Sequence, residues 1–431
     1  MASSMMMWKW TGSVSCIFLC LVSWVHALEG IYDVTEFGAK GDGRSDNTAA
    51  FQECMNKAAE EGGGVVLVPR GRFLMRGNLN VPKNVTLEGI WRAPQRGDPV
   101  NAGSVLMPVA GKGDEEGTPF LSLNTQSTLK GLTIYYPEQV RKNPPHPYPW
   151  TVQGEGDNCT ILHVTMINPY QAVDFGSKFC GRHYVNGLYA QALFKGIYIN
   201  QCYDVGRIEN VHFWPFWDTD PSSPTWEFTR TQGTAFLFGK VDGEMALNCF
   251  SIFYNTGMHF FRGSVDGGEK TSPGCGVFTN CYMDITPCAV RVDDVGASSG
   301  ISFVNGMFMS GVQVAPSNKG QVKFVGCGFW ANREQTYHAC LEGKGTVFFN
   351  GCHFSNWDRQ EKGVACIQAN CEGLIVLGCE FETNREDHWK ISLGSQVKSA
   401  IISSNRMAKG VLVEDRTSEE ADVQIGLNTG L

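Results

Sequence analysis

A short pattern that recurs from residue 128 onward limits this chain more than any other feature. A small residue, Asn or Gly is followed by alternating apolar positions, in LKGLTIY, LHVTMI, YVNGLYA, IENVHFW, NCFSIFY, TNCYMDI, FVNGMFM, FVGCGFW, FNGCHFS, LGCEFE and SSNRMA. The last inward-looking apolar residue of each gives the anchors Ile134, Met166, Tyr189, Phe213, Ile252, Met283, Phe308, Phe329, Phe354, Phe381 and Met407. Their spacings are 32, 23, 24, 39, 31, 25, 21, 25, 27 and 26. A period in the low to mid twenties is one β-helix coil, three short strands joined by three turns. Strands and turns also alternate in a sandwich, but a sandwich does not hold one register through eleven repeats. The prediction is an all-β parallel coil stack. Length alone would suggest two or three domains, but a repeat evades that rule because each coil needs only its neighbours.

Strands alternate faces. If the anchors point inward, so do the residues two before them, which include Cys281, Cys327, Cys352 and Cys379. Equivalent positions on adjacent coils lie about 4.8 Å apart, whereas a disulfide wants Cβ atoms near 3.8 Å. These four are therefore expected to be free core thiols, and the local turn pairs Cys159–Cys180 and Cys366–Cys371 are better disulfide candidates. The same alternation turns His212, Trp214, Phe253, Tyr282, Asp284, Met309, Trp330 and His353 outward in one strip. Aromatic faces stack on the C–H surfaces of pyranoses, and a carboxylate or imidazole handles protons. The opposing reading is a satellite core beneath a loop.

Two coils are overlong. Residues 137–156 and 215–233 read as inserted loops at one edge of the strip, bringing Tyr148, Trp150, Trp217 and Trp226 as walls and Asp218, Asp220 and Glu227 as carboxylates. Functional residues concentrate on such loops, although Asp-x-Asp-Pro is also ordinary turn chemistry. The expected catalytic residues are Asp284, Asp218 and Asp220, an arrangement suited to inverting hydrolysis by two carboxyl groups. The expected substrate contacts are His212, Trp214, Trp217, Tyr282, Trp330 and His353. Asp293-Asp294 is a second acidic pair.

Ahead of the repeat, residues 32–73 (YDVTEFGAKGDGRSDNTAAFQECMNKAAEEGGGVVLVPRGRF) read as strand, Gly-Asp-Gly turn, helix, Gly-Gly-Gly turn and strand. Ser45 or Asp46 can cap the helix, and Gly62-Gly63-Gly64 stops it. This block resembles the entrance of the pectate-lyase-like right-handed parallel β-helix superfamily, which includes polygalacturonase-related and rhamnogalacturonase/epimerase-like proteins. The resemblance implies a single-stranded right-handed parallel β-helix of about eleven or more coils over residues 28–431, with an N-terminal capping helix. It names an architecture and no substrate. Homo-oligomerisation, as in tailspike relatives, is compatible with it.

The resemblance has limits. The polygalacturonase pattern of Asn-x-Asp, Asp-Asp, Gly-His-Gly and Arg-x-Lys is absent: there is no Gly-His-Gly, and Arg207-Ile208-Glu209 carries acid where Lys belongs. That active site is not transferred. A polysaccharide lyase is the enzymatic rival; pectate lyases use Ca²⁺ and an Arg base, and Arg291 beside Asp293 and Asp294 could serve, with Tyr282 or His353 as alternatives. No metal-binding motif is specific here, so no cofactor is expected unless the lyase reading brings in calcium. A non-catalytic glycan-binding or matrix glycoprotein is the third reading.

Lys9, the apolar run Val14–Val25 and Val25-His26-Ala27 read as a signal peptide over residues 1–27, so secretion to the extracellular space is expected. The run is short of the roughly 20 residues a spanning helix needs. Net charge is −8, and −9 once Lys9 is removed. No basic patch invites nucleic acid or an anionic membrane, leaving polysaccharide as the expected partner. Asn84 and Asn158 begin N-glycosylation sequons.

Overall fold

The computed structural model describes residues 29–98, 100–264, 267–331 and 335–430. The expected signal peptide lies outside these residues. No helix among them is long and apolar enough to cross a membrane.

Helix α1 (Thr48–Glu60) opens the fold. Asp46 accepts from the Thr48 amide at 3.1 Å and the Thr48 hydroxyl at 2.7 Å, while Ser45 turns instead to Asp42. The helix buries Phe51, Cys54, Met55 and Ala58 against the first coils. Gly63 follows it at φ 120°, where a Cβ would meet the Asn84 carbonyl at 2.6 Å; only glycine fits.

The described strands form two parallel sheets of 28 and 13 strands, here called A and B. This is a parallel β-helix, and the rule for crossovers between parallel strands makes it right-handed. Sheet A wraps two faces of the coil. In early coils one strand, such as Tyr184–Ala190, runs through the corner. Later the corner splits it, as into Cys275–Thr279 and Tyr282–Asp284. The corner residues Asn210, Asn248, Asn280 and Asn305 all have positive φ. Their amides form a ladder: Asn210 donates to Asn186, Asn248 to Asn210 and Asn280 to Asn248, at 3.1–3.3 Å. The recurring Asn of the sequence is thus the corner itself, since Asn tolerates the left-handed region and its side chain bonds the next coil.

The inward column along the corner strands runs Ile134, Met166, Ala190, Phe213, Ser251, Met283, Phe308, Phe329, Phe354, Phe381 and Met407. Nine expected anchors hold this column. Tyr189 and Ile252 do not: they sit one residue out of phase, with buried Ala190 and Ser251 in their places. Pattern alone prefers the larger apolar residue, but the register set by neighbouring coils selects the smaller one. Cys281, Cys327, Cys352 and Cys379 are buried, as expected. Among the described residues all fourteen cysteines are free thiols, the pairs Cys159–Cys180 and Cys366–Cys371 included.

Candidate functional site

Two exterior faces carry chemistry. The first is the outward column of sheet A, which passes through Thr165, Tyr189, His212, Phe250, Tyr282 and Met307. The expected strip therefore exists with a changed membership. Tyr189 and Phe250 join it, and Phe253 leaves it for the buried Trp226 ring, 4.3 Å away between centroids. Trp91, from a long connection, extends the strip: its ring lies 6.0 Å from Tyr189. Tyr189 stacks on His212 at 5.6 Å, His212 on Phe250 at 4.7 Å, Phe250 meets Tyr282 edge-on at 5.3 Å, and Tyr282 reaches Trp330 at 5.6 Å. Burial holds the His212 imidazole below its ordinary pKa, which favours the neutral ring in this ladder.

Asp284 shares the Tyr282 strand. It is partly buried, and its Oδ1 has no hydrogen-bond partner. Burial raises its pKa, only partly opposed by the Ile285 amide and the Tyr282 hydroxyl. A carboxyl group biased toward its protonated form beside an aromatic surface is equipped to donate a proton. His353 lies further along, exposed and 3.3 Å from Glu382.

The loop 215–233 folds into helix α2 (Pro224–Gln232), capped by Ser223. Its aspartates are placed differently from one another. Asp218 is buried; its carboxylate accepts from the Ser223 hydroxyl and lies 3.8 Å from Arg141 Nε. Asp220 is exposed, and hydrogen bonds from Ser222 hold it below the usual carboxylate range. The loop spans coils: Arg96 donates to the Thr219 carbonyl and Arg141 to that of Trp217 on the earlier side, while the Asn255 amide of the following coil donates to the Thr229 carbonyl. Among the described residues no hydrogen bond or ion pair joins either aspartate to Asp284. Trp214 is partly exposed, its ring 5.4 Å from Phe216. The Arg141 guanidinium covers Trp217 at 4.9 Å. Two expected wall residues are elsewhere: Tyr148 is fully buried against Tyr136, and Trp150 belongs to sheet B.

The second face is the outward column of sheet B, in which Asp174, Tyr198, Leu237, His259, Arg291, Gln313, Cys340 and Gln368 are register partners. Asp174 is fully buried and accepts from Gln153 at 2.6 Å. His259 Nε2 lies 2.7 Å from Asp293 Oδ2, and Arg291 Nε donates to Asp293 Oδ1 at 2.9 Å. Despite partial burial, these two contacts keep Asp293 below its ordinary pKa. Arg291 and Asp293 line a groove of about 550 Å³ with Gln313, Tyr337 and Glu342, and His259 contacts it through Asp293. The groove continues through Cys340 and Glu342 into a second hollow of about 370 Å³. His259 and Tyr337 escaped the sequence reading, which followed the corner strands; a register for sheet B would have placed His259 opposite Arg291.

Comparisons with known proteins agree with this architecture. Residues 31–105 match the family described as rhamnogalacturonase A/epimerase, pectate lyase-like. The chain is 46% identical over 46 residues to alginate lyase 7 of Azotobacter vinelandii, which is 11% of this chain and 5% of that protein. It is 40% identical over 65 residues to a polygalacturonase of Prunus persica, 15% of this chain and 16% of that protein. The match thus spans well under a fifth of either relative. Among solved structures, the A-module of mannuronan C-5 epimerase AlgE6 from Azotobacter vinelandii superposes with TM-score 0.51 at 15% identity, over 93% of this chain and 99% of that one. The N-terminal fragment of bacteriophage phi29 gene product 12 gives 0.58 at 12% identity, over 92% and 71%. The fold is that of the parallel β-helix proteins, and the first coils, residues 31–105, are similar to the rhamnogalacturonase A/epimerase, pectate lyase-like family.

Proposed function

We propose that this protein acts on an extracellular polysaccharide laid along the exterior of sheet A, as a glycoside hydrolase with Asp284 as proton donor. The observation that supports this reading is a partly buried carboxyl with an unpartnered Oδ1, its pKa raised by burial, on the Tyr282 strand of a run of ring contacts from Tyr189 to Trp330. Sugar faces stack on Phe250, Tyr282 and Trp330, and the Asp284 proton passes to the departing glycosidic oxygen. Hydrolysis also needs a carboxylate that activates water. Asp220 is the candidate for that role because its environment acts in the opposite sense to that of Asp284. Buried Asp218 anchors the loop. Secretion rests on the N-terminal sequence.

The test is a panel of plant, algal, fungal and bacterial polysaccharides incubated with purified protein, read for new reducing ends and for ultraviolet absorbance of unsaturated uronates. Reducing ends without absorbance are expected, with at least a 100-fold loss in Asp284→Asn. An unchanged rate in that variant would remove Asp284 from the chemistry, and an unchanged Asp220→Asn would remove the loop from it. Binding with neither product would make the strip a glycan-binding surface.

A second reading is favoured by the His259–Asp293–Arg291 cluster. In the sheet B groove a cationic Arg291 suits a uronate carboxylate, and the adjacent C–H proton passes to a base at the edge of the groove, for which His259, held by Asp293, is the candidate. Absorbance abolished by Arg291→Ala would establish elimination there. Calcium does not fit this cluster. Asp293 is engaged by His259 and Arg291, while Asp294 accepts from Ser272 and the Lys319 amide, so no oxygen cage remains for the ion.

A further inference from the structure

Inside the coil stack, away from both faces, three metal-ligating side chains converge. His183, Cys202 and Glu244 are fully buried, and a ring nitrogen, Sγ and a carboxylate oxygen lie within 4.8 Å of one another. The register brings them together. Tyr184, Arg207 and Met245 are partners on three successive coils. The residues before them, His183, Gly206 and Glu244, therefore occupy one position three times. The middle one is glycine, and a Cβ there would fall on the His183 ring and on Glu244 Oε2. Through that gap side chains two coils apart, about 10 Å along the stack, bring Nε2 within 3.3 Å of Oε1. Cys202 enters from the turn that follows the strand Lys195–Ile199.

The plain alternative is a buried imidazolium–carboxylate pair, which leaves one group unsatisfied. His183 Nδ1 lies 3.1 Å from the Cys180 carbonyl oxygen, so that nitrogen carries a proton and Nε2 faces Glu244. A second proton, on Nε2, would satisfy Oε1 alone. Glu244 Oε2 is buried with no hydrogen-bond partner, a costly state for a carboxylate. A divalent cation would take the Nε2 lone pair, the carboxylate and the Cys202 thiolate together. Its charge would cancel the two anionic ligands, leaving the interior neutral. The Nδ1–H contact to a carbonyl is the usual orienting bond of a metal-bound imidazole.

We propose that His183, Cys202 and Glu244 form a buried metal site, and that Zn²⁺ is the ion its imidazole, thiolate and carboxylate donors select. Binding displaces the thiol proton now directed at the Asp204 carbonyl, 2.7 Å from Sγ. The fourth tetrahedral position falls to a small ligand such as water. The site is independent of the proposed polysaccharide chemistry.

The experiment strips purified protein with a chelator and titrates it with Co²⁺ and then Zn²⁺. One equivalent per chain is expected, with a cobalt–thiolate charge-transfer band that Zn²⁺ displaces. Zn²⁺ should raise Tm by several degrees. Cys202→Ser should lose the band and most of the Tm shift. If that variant fails to fold, Glu244→Gln serves, with an expected tenfold or greater loss of affinity. Absence of both band and shift in the unmodified protein would establish the simple ion pair. A band that survives in folded Cys202→Ser would put the ion elsewhere, and either result overturns the proposal.

Discussion

At the residue scale the candidate sites turn on how each carboxylate is satisfied. Asp284 is raised by burial, so its proton is favoured in the folded chain. Its contribution to stability is complete below the unfolded carboxyl pKa, about 3.9, and is lost as pH rises through the folded value. Asp284→Asn should therefore melt higher than the parent at pH 7, and the gap should close as pH falls below about 4. Paired melting curves between pH 3 and pH 8 check this, and a gap independent of pH would show that Asp284 bears no such strain. Asp284 was legible in the sequence because it interrupts an aromatic strip on a strand of known phase. Two other features were not. The burial of Asp218 depends on Ser223 and Arg141, one of them 77 positions away in the chain. The partnership of His259 with Asp293 depends on a sheet whose strands carry no repeating Asn.

At the element scale the coil was legible because its corner has a chemical signature. Asn248 sits at φ 56°, donates to Asn210 and accepts from Asn280. Asn248→Ala should lose both bonds and place a Cβ-bearing residue without local compensation in the left-handed region, which costs about 1–2 kcal/mol by conformation alone. Asn248→Gly should recover the conformational part and not the hydrogen bonds. Urea unfolding of the three proteins separates the two contributions, and equal stability of the Ala and Gly variants would show that the corner is not strained. The inserted loop was legible as an excess of residues between anchors, but α2 within it was not. It is a short helix whose cap, Ser223, lies in a stretch that reads equally well as a turn.

At the scale of the whole molecule, contacts run almost entirely between neighbouring coils. Phe308, Phe329, Phe354 and Phe381 stack in one interior column, with centroids 5.3, 4.8 and 4.8 Å apart. Beside it Phe303, Phe324 and Phe349 stack at 4.9 and 5.1 Å. Each ring is packed chiefly by its own coil and the coils on either side, which makes stability close to a sum of nearest-neighbour terms. Phe329→Ala removes the middle of the first column. It should cost about 3–5 kcal/mol at that interface, and a stack coupled only through neighbours cannot spread the loss evenly. Amide exchange should therefore quicken on the strands Val322–Val325 and Thr346–Asn350 and on the coils beyond them toward the C-terminus. The strands Gly64–Val68 and Val85–Gly89, near α1, should keep their protection. The sheet A strip would then keep its geometry around His212 while losing it around Trp330. Uniform acceleration along the whole chain would instead mean that the stack unfolds as a single cooperative unit, and the strip could not loosen at one end while holding at the other.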